Sequence, residues 1–431
     1  MKFLSRKIVA FTTFILFALS ISKSVLAESQ EMTTEKWKED IQFLISTLES
    51  KHIHLYHSIP KQKVDIEVEN LLSNLPEMAD SEIFLSISKI VKSFDDSHTG
   101  LWREREYYTT YPVEFFVFGA GEIRVVRPPK EMPELMGAAL LSIDGNSIKN
   151  WTDDVSKVAQ VTDNSYSETD RLARYMRYDK LLKALGVAKN EGYADFEFFM
   201  SDGSKQIFRL NAVAHADYSS SMDAPTKLNS PFSFEEALLG ERYFWYQSIE
   251  ETQTAYIYFS GYPQIWQMRR IAMEISRDII EHDIKNIIID LRDNTGGNFY
   301  IGLTLIKALS YIDIVDWKEG VYVLSGRKTY SAGMSNTAQS QELLNAKVVG
   351  EPTGANPNDF QDASRFRLPN SNWDVQYSKR KYRFHDTVTD GVIPDIYIEP
   401  KWEVISSQKD APLNWVLSDI KSRSSKADSN E

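Results

Sequence analysis

The chain has 431 residues, 42% hydrophobic and 26% charged, an ordinary globular composition but too long for one compact core. With 49 basic and 61 acidic residues its formal charge is −12, the wrong sign for gripping a phosphate backbone, so nucleic-acid binding is excluded as an expectation. There is no cysteine, hence no disulfide framework and no thiol for lipid attachment.

Residues 1–27 read as a secretion signal. Lys2, Arg6 and Lys7 precede the apolar run Ile8 to Ile21, and Val25 and Ala27 supply the small-residue cleavage pattern. The alternative is an uncleaved anchor, but the run is short for a membrane span. Cleavage after Ala27 removes Lys2, Arg6, Lys7 and Lys23 and no acid, which deepens the charge by four, to −16. We expect an exported protein, periplasmic or secreted. No membrane span is expected after cleavage.

Residues 28–105 read as a helical cap. Trp37, Ile41, Leu44, Ile45 and Leu48 form one apolar stripe. Pro60 opens a second helix, and Asp80 suits the cap of a third carrying Ile83, Phe84, Ile87, Ile90 and Val91. Residues 106–214 read as a mostly β module. Asp144-Gly145 and Asp202-Gly203 mark hairpin turns, and a charged helical stretch lies between them. Residues 215–235, rich in Ser, Pro, Asp and Asn, read as a linker. Over 236–431 strands alternate with helices of about a dozen residues. The continuous apolar run Asn286 to Leu291 suits a strand buried on both faces of a parallel sheet. The fold class is therefore multidomain, α+β and α/β.

Chemistry is expected at the carboxyl ends of the parallel strands. Gly296 and Gly297 follow one such strand and open a helix, so their N–H groups suit an anion or a developing oxyanion. No Walker or G-x-G-x-x-G pattern supports a phosphate, and a purely structural turn is the plain alternative. Ser331 follows the next strand at a strand-to-helix elbow. There it is either a helix N-cap or a nucleophile that gains the helix dipole and the N–H of Ala332. G-x-S-x-G is absent. The nearest histidines, His282 and His385, are not adjacent, so any base must arrive through the fold. His98 lies in a polar turn after the third cap helix. His52, His54 and His57 suit a structural or interface role better than a metal site, having no acidic ligand motif beside them.

Five stretches resemble, in order, the C-terminal-processing (tail-specific) serine proteases and the tricorn-core proteases: "DDSHTGL", "DLRDNTGG", "TYSAG", "VVGEPTGANPN" and "DGVIPDIYIEP". They span His98 to Pro400. "LLSIDGNSI" resembles the PDZ-type module that many members carry. One branch uses a serine–lysine dyad, but no lysine occupies the loop after Ser331, and Lys347 precedes it. The tricorn-like branch uses a serine–histidine pair. The resemblance thus implies Ser331 as nucleophile, His98 as general base, Ser97 in support, and Gly296, Gly297 and Ala332 as oxyanion donors. It implies a helical cap, a PDZ-like module over 106–214 and a crotonase-like (ClpP/crotonase) catalytic domain. No cofactor or metal is implied, and the substrates would be proteins or peptides, taken through their C-termini. The supporting glutamate of the tricorn core aligns with Val388; Asp390 or Asp386 is expected to stand in for it. Two other functions fit the same architecture: a non-catalytic ligand- or peptide-binding protein, as in retinoid-binding relatives, and a small-ester hydrolase.

Overall fold

The structure is a computed structural model describing residues 32–103, 108–223, 232, 235 and 237–428. The signal read at 1–27 lies outside the described residues, as does much of the linker read at 215–235. The chain is a mixed α/β, multidomain protein; among the described residues are three sheets of three or more strands, each with its own core.

The cap contains the helices Thr34–Lys51, Lys61–Asn74 and Asp80–Ser93. The third begins one residue earlier than its acid suggests. Ala79 is the N-cap, and Glu82 reaches back to its N–H at 2.8 Å, while Asp80 accepts from the Trp37 indole at 3.3 Å. The cap does not close on itself. Its core includes Leu368, Trp373, Val375 and Tyr377, which belong to the distant hairpin Phe360–Arg367 and Asp374–Lys381. The short strand Gly100–Trp102 pairs antiparallel with that hairpin, Gly100 opposite Gln376. The segment just before it, which carries His98, is therefore anchored from two ends of the sequence.

The second module is antiparallel, in the order Glu114–Phe118, Glu122–Arg127, Ala139–Ile143, Tyr193–Phe199, Lys205–Asn211. The Asp144-Gly145 turn has φ of 49° and 83°, the left-handed pair that a two-residue hairpin needs. Helices Ile148–Ser156 and Ser165–Tyr175 pack over this sheet around Trp151, Val155 and Ala173.

The largest sheet has seven strands. From Thr254–Phe259 it runs parallel through Asn286–Asp290, Val321–Ser325, Lys347–Gly350 and Ile396–Tyr397. Alternation explains why the run at 286–291 is apolar throughout. Ile287 and Ile289 face the helices Ile265–Glu281, Phe299–Leu309 and Ala332–Leu344, while Ile288 faces Leu413, Val416 and Ile420 of the last helix, Ala411–Asp428. Among the described residues no helix is long and apolar enough to cross a membrane.

Candidate active site

The loop after Asn286–Asp290 is shaped by its own polar side chains. Arg292 is buried and bridges Asp290 (2.6 Å) and Asp410 (2.8 Å), which ties the strand end to the last helix. Asn294 donates to Phe259 O at 2.9 Å and accepts the Gly296 N–H on Oδ1 at 3.0 Å, and its backbone oxygen accepts from Tyr330 N at 2.8 Å. Two strand ends, one glycine and the elbow are thus fastened to one asparagine. Gly296 has φ 113°, and a Cβ there would sit 2.7 Å from Ser331 Cβ. Only glycine lets the loop pass this close to the elbow.

Ser331 occupies the N-cap position of Ala332–Leu344 but caps nothing with its side chain. Its φ of 52° with ψ of −119° is a rarely populated conformation for a residue with a Cβ, costing about 1–3 kcal/mol. The hydroxyl instead meets His98 Nε2 at 2.8 Å. On the other side of the ring, Nδ1 lies 2.7 Å from Ser97 Oγ. With the proton on Nδ1 given to Ser97, Nε2 is free to accept from Ser331, so the two contacts fix both the tautomer and the orientation of the ring.

His98 is held in place through its main chain. Asp96 Oδ1 accepts the His98 N–H (2.8 Å) and the Ser378 hydroxyl (2.8 Å), and Oδ2 accepts from Thr99 Oγ1 (2.6 Å) and His52 Nε2 (2.5 Å). His52 Nδ1 takes the N–H of His54 at 3.0 Å, which leaves its proton on Nε2, facing Asp96. Gln376 donates to His98 O at 3.0 Å. Burial raises the Asp96 pKa, but the bonds from His52, Thr99 and the His98 N–H outweigh it and hold the carboxyl down at about 2. His98 itself is pushed below its ordinary value by burial, against the opposing pull of Asp96.

Other expected residues fall differently. The Gly296 N–H is committed to Asn294, so it is not available to an oxyanion, whereas no described hydrogen bond uses the N–H of Gly297 or of Ala332. Asp390 and Asp386 are exposed, and no described hydrogen bond links either to Ser97 or His98. Val388 is 83% exposed, so its position is not an inward-facing one that an acid could fill. Lys347 lies beside Asp419 (3.8 Å) and over Trp415. His282 sits with Asp278, and His385 bonds Asn358 through its backbone. His57 packs on Phe360 at 4.3 Å between ring centroids. Among the described residues no cluster of three or more His, Asp or Glu is arranged to hold a metal. Asp96, His52, Ser378 and Gln376 were not legible as site residues. For Asp96, the Asp-x-His spacing that lets a carboxylate take the His98 N–H was the only local signal. A cavity of about 650 Å³, lined by Arg127, Trp245, Arg327 and Glu399 among others, lies between the second module and the large sheet and includes neither Ser331 nor His98.

The Gly296 geometry makes a sharp expectation. Gly296→Ala places a methyl against the Ser331 side chain at a φ that L-residues avoid, and should slow any reaction of Ser331 by about a hundredfold or more, with the folded state retained. Labelling kinetics with a serine-directed phosphonate would read this, and wild-type kinetics in the variant would refute it.

No protein-family model matches the sequence, and a comparison with curated proteins finds no match. Solved structures do match. The chain superposes on mature CPAF complexed with lactacystin with a TM-score of 0.63 at 12% identity, over 92% of this chain and 99% of that one. Mature CPAF alone gives 0.62 at 12% identity, over 89% and 96%. A photosystem II D1 C-terminal processing protease matches more loosely, at 0.41 and 11% identity over 85% and 93%. The chain has the fold of mature CPAF over nearly the full length of both.

Proposed function

We propose that this chain, built on the fold of mature CPAF, is an exported serine-type endopeptidase of the tail-specific, tricorn-like kind. The observation that carries the reading is the 2.8 Å contact between Ser331 Oγ and His98 Nε2, made by a serine held at positive φ that caps no helix. In this reading Ser331 Oγ attacks the peptide carbonyl carbon while its proton passes to His98 Nε2. The N–H groups of Gly297 and Ala332 bind the oxygen that becomes negative. Collapse of the tetrahedral intermediate breaks the C–N bond, and His98 returns the proton to the leaving amine. Water then attacks the acyl-serine by the same route. The residues 106–214 serve as a PDZ-like module that takes a substrate C-terminus, and 236–431 as a crotonase-like catalytic domain. Export follows from the leader at 1–27, with a periplasmic or extracellular site of action.

The test is turnover by the purified protein on matched peptides, with and without free C-termini, beside short esters. Peptide cleavage inhibited by a serine-directed phosphonate supports the reading. Ester turnover without peptide cleavage would make it a small-ester hydrolase, and binding without turnover a ligand carrier. The pH profile is a second check. The base works when neutral, and burial lowers its pKa, so the acid limb of kcat/KM should fall below pH 6.5. The same sign applies to stability: a depressed histidine contributes fully above about pH 6.5 and loses that contribution as pH falls through its folded pKa.

A further inference from the structure

Helix Ile265–Glu281 buries Met268, Ile271, Ala272, Ile275 and Ile279 against the large sheet. At about 100° per residue, the opposite arc is filled by Trp266, Arg269, Arg270, Met273, Arg277 and Ile280. All of these are exposed, and the three apolar ones are each more than half exposed. Trp266, Met273 and Ile280 recur at every seventh position, so they form one row with arginines between them. The acids of this helix lie off the arc. Glu274 and Glu281 stand to one side of it, and Asp278 accepts from the Tyr246 hydroxyl at 2.6 Å.

The neighbouring helix extends this face. Phe299–Leu309 packs beside it on the same core, through Leu305, Ile306 and Leu309. Its outer side presents Tyr300 and Lys307, and Tyr311 follows just past its end; both tyrosines are more than half exposed. This helix contains no acid, and Lys307 is its one charge. Arg269, Arg277 and Lys307 have no acidic partner among the described residues, and Arg270 reaches Glu274 only at 4.0 Å.

We infer that this face docks on an anionic lipid surface, with Trp266, Met273 and Ile280 entering the headgroup boundary and the four cations meeting its phosphates. A face with cations and no acid calls for a negative partner. A second copy of the chain does not supply one. Antiparallel pairing through Met273 sets Arg269 against Arg277, and parallel pairing sets each arginine against itself. A bilayer surface meets both halves of the pattern at once. Apolar side chains pass between the headgroups, while the long arginine stems let each guanidinium reach outward to phosphate. Tryptophan, with an apolar body and one N–H, suits that boundary. The chain as a whole carries −12, which repels such a surface. In about 0.1 M salt that repulsion is screened beyond about 10 Å, so the far side of the molecule counts for little and the basic face acts on its own. The contact is peripheral, since no described helix can cross a membrane. Docking goes beyond the peptidase reading and stands whether or not Ser331 is reactive.

The test is flotation of the chain freed of residues 1–27, whose own apolar run would bind lipid and which precede every described residue. Phosphatidylcholine vesicles with and without phosphatidylglycerol are compared. Binding should need phosphatidylglycerol and weaken as salt is raised. Arg269→Gln/Arg277→Gln/Lys307→Gln should weaken it by about tenfold or more, and Arg269→Lys/Arg277→Lys should stay within about threefold of wild type. Trp266→Ser/Met273→Ser/Ile280→Ser should weaken it by about a hundredfold or more. The unfolding midpoint of that variant should not move, because none of the three lies in the core. Of the nine tryptophans only Trp266 is exposed, so quenching by brominated phosphatidylglycerol reports on this face. Trp266→Phe should still bind and lose the quenching. No binding to anionic vesicles, equal binding to neutral ones, binding indifferent to these substitutions, or quenching kept in Trp266→Phe would each overturn the proposal. A concentration-dependent dimer that the triple serine variant dissociates would assign the face to a second copy, and binding to polyglutamate in place of vesicles would assign it to an acidic polypeptide; either also overturns it.

Discussion

Ser331→Ala is expected to abolish labelling by a fluorophosphonate and to lower any hydrolytic turnover by about ten-thousandfold or more, and His98→Ala should come close to it. The two losses should not add, because the proton leaves Oγ only if Nε2 receives it. The fold should survive both. The Ser331 side chain makes no capping bond, so alanine removes the hydroxyl and takes nothing from the helix. Peptide mapping of the labelled protein checks the assignment directly. Label retained in Ser331→Ala would place the nucleophile elsewhere. Undiminished labelling in His98→Ala would deny the histidine its role, and Lys347 could not take it over from its place beside Asp419.

Asp96→Ala is expected to be the most destabilising single change near the site, by about 3–5 kcal/mol. It strips a common acceptor from His52, Thr99, Ser378 and the His98 N–H, all of them buried. The cap helix Thr34–Lys51, the His98 turn and the hairpin Asp374–Lys381 would lose their shared knot. Any reaction of Ser331 should slow too, since His98 loses its main-chain anchor. Thermal and urea unfolding measure the first effect, and a midpoint unchanged from wild type would refute it. The pH dependence has a definite sign. The Asp96 carboxyl is depressed to about 2, so its contribution is present above about pH 4 and is lost as pH falls toward 2.

These two sites show how differently sequence and fold contribute. Asp96 stands two residues before His98 and reads as one more acid in a polar turn. What makes it a hub is the arrival of His52 from a cap helix and Ser378 from a hairpin almost three hundred residues away. That hairpin was itself not read as part of the cap, because strand signals say nothing about which core a strand completes. Ser331 was ambiguous for a related reason. A serine at the start of a helix is the ordinary N-cap, and only backbone dihedrals and the Oγ partner distinguish the two uses.

The acid expected beside His98 is a case of position outweighing pattern. Asp386 and Asp390 flank Val388 at equal distance along the chain, yet both face solvent, while Asp96, two residues before His98, takes its N–H. By itself the amino-acid order determined what repeats locally: the apolar stripes of the cap helices, the Asp-Gly turns, the doubly buried strand at 286–290 and the glycine-rich loop beyond it. Each follows from periodicity or from backbone freedom over a few residues. Tertiary structure decided which hydroxyl meets which imidazole, which glycine N–H is already spent, and which carboxyl is sealed from water. The serine–histidine contact joins residues 233 positions apart and the Asp96–Ser378 bond residues 282 apart, and burial sets their hydrogen bonding and charge.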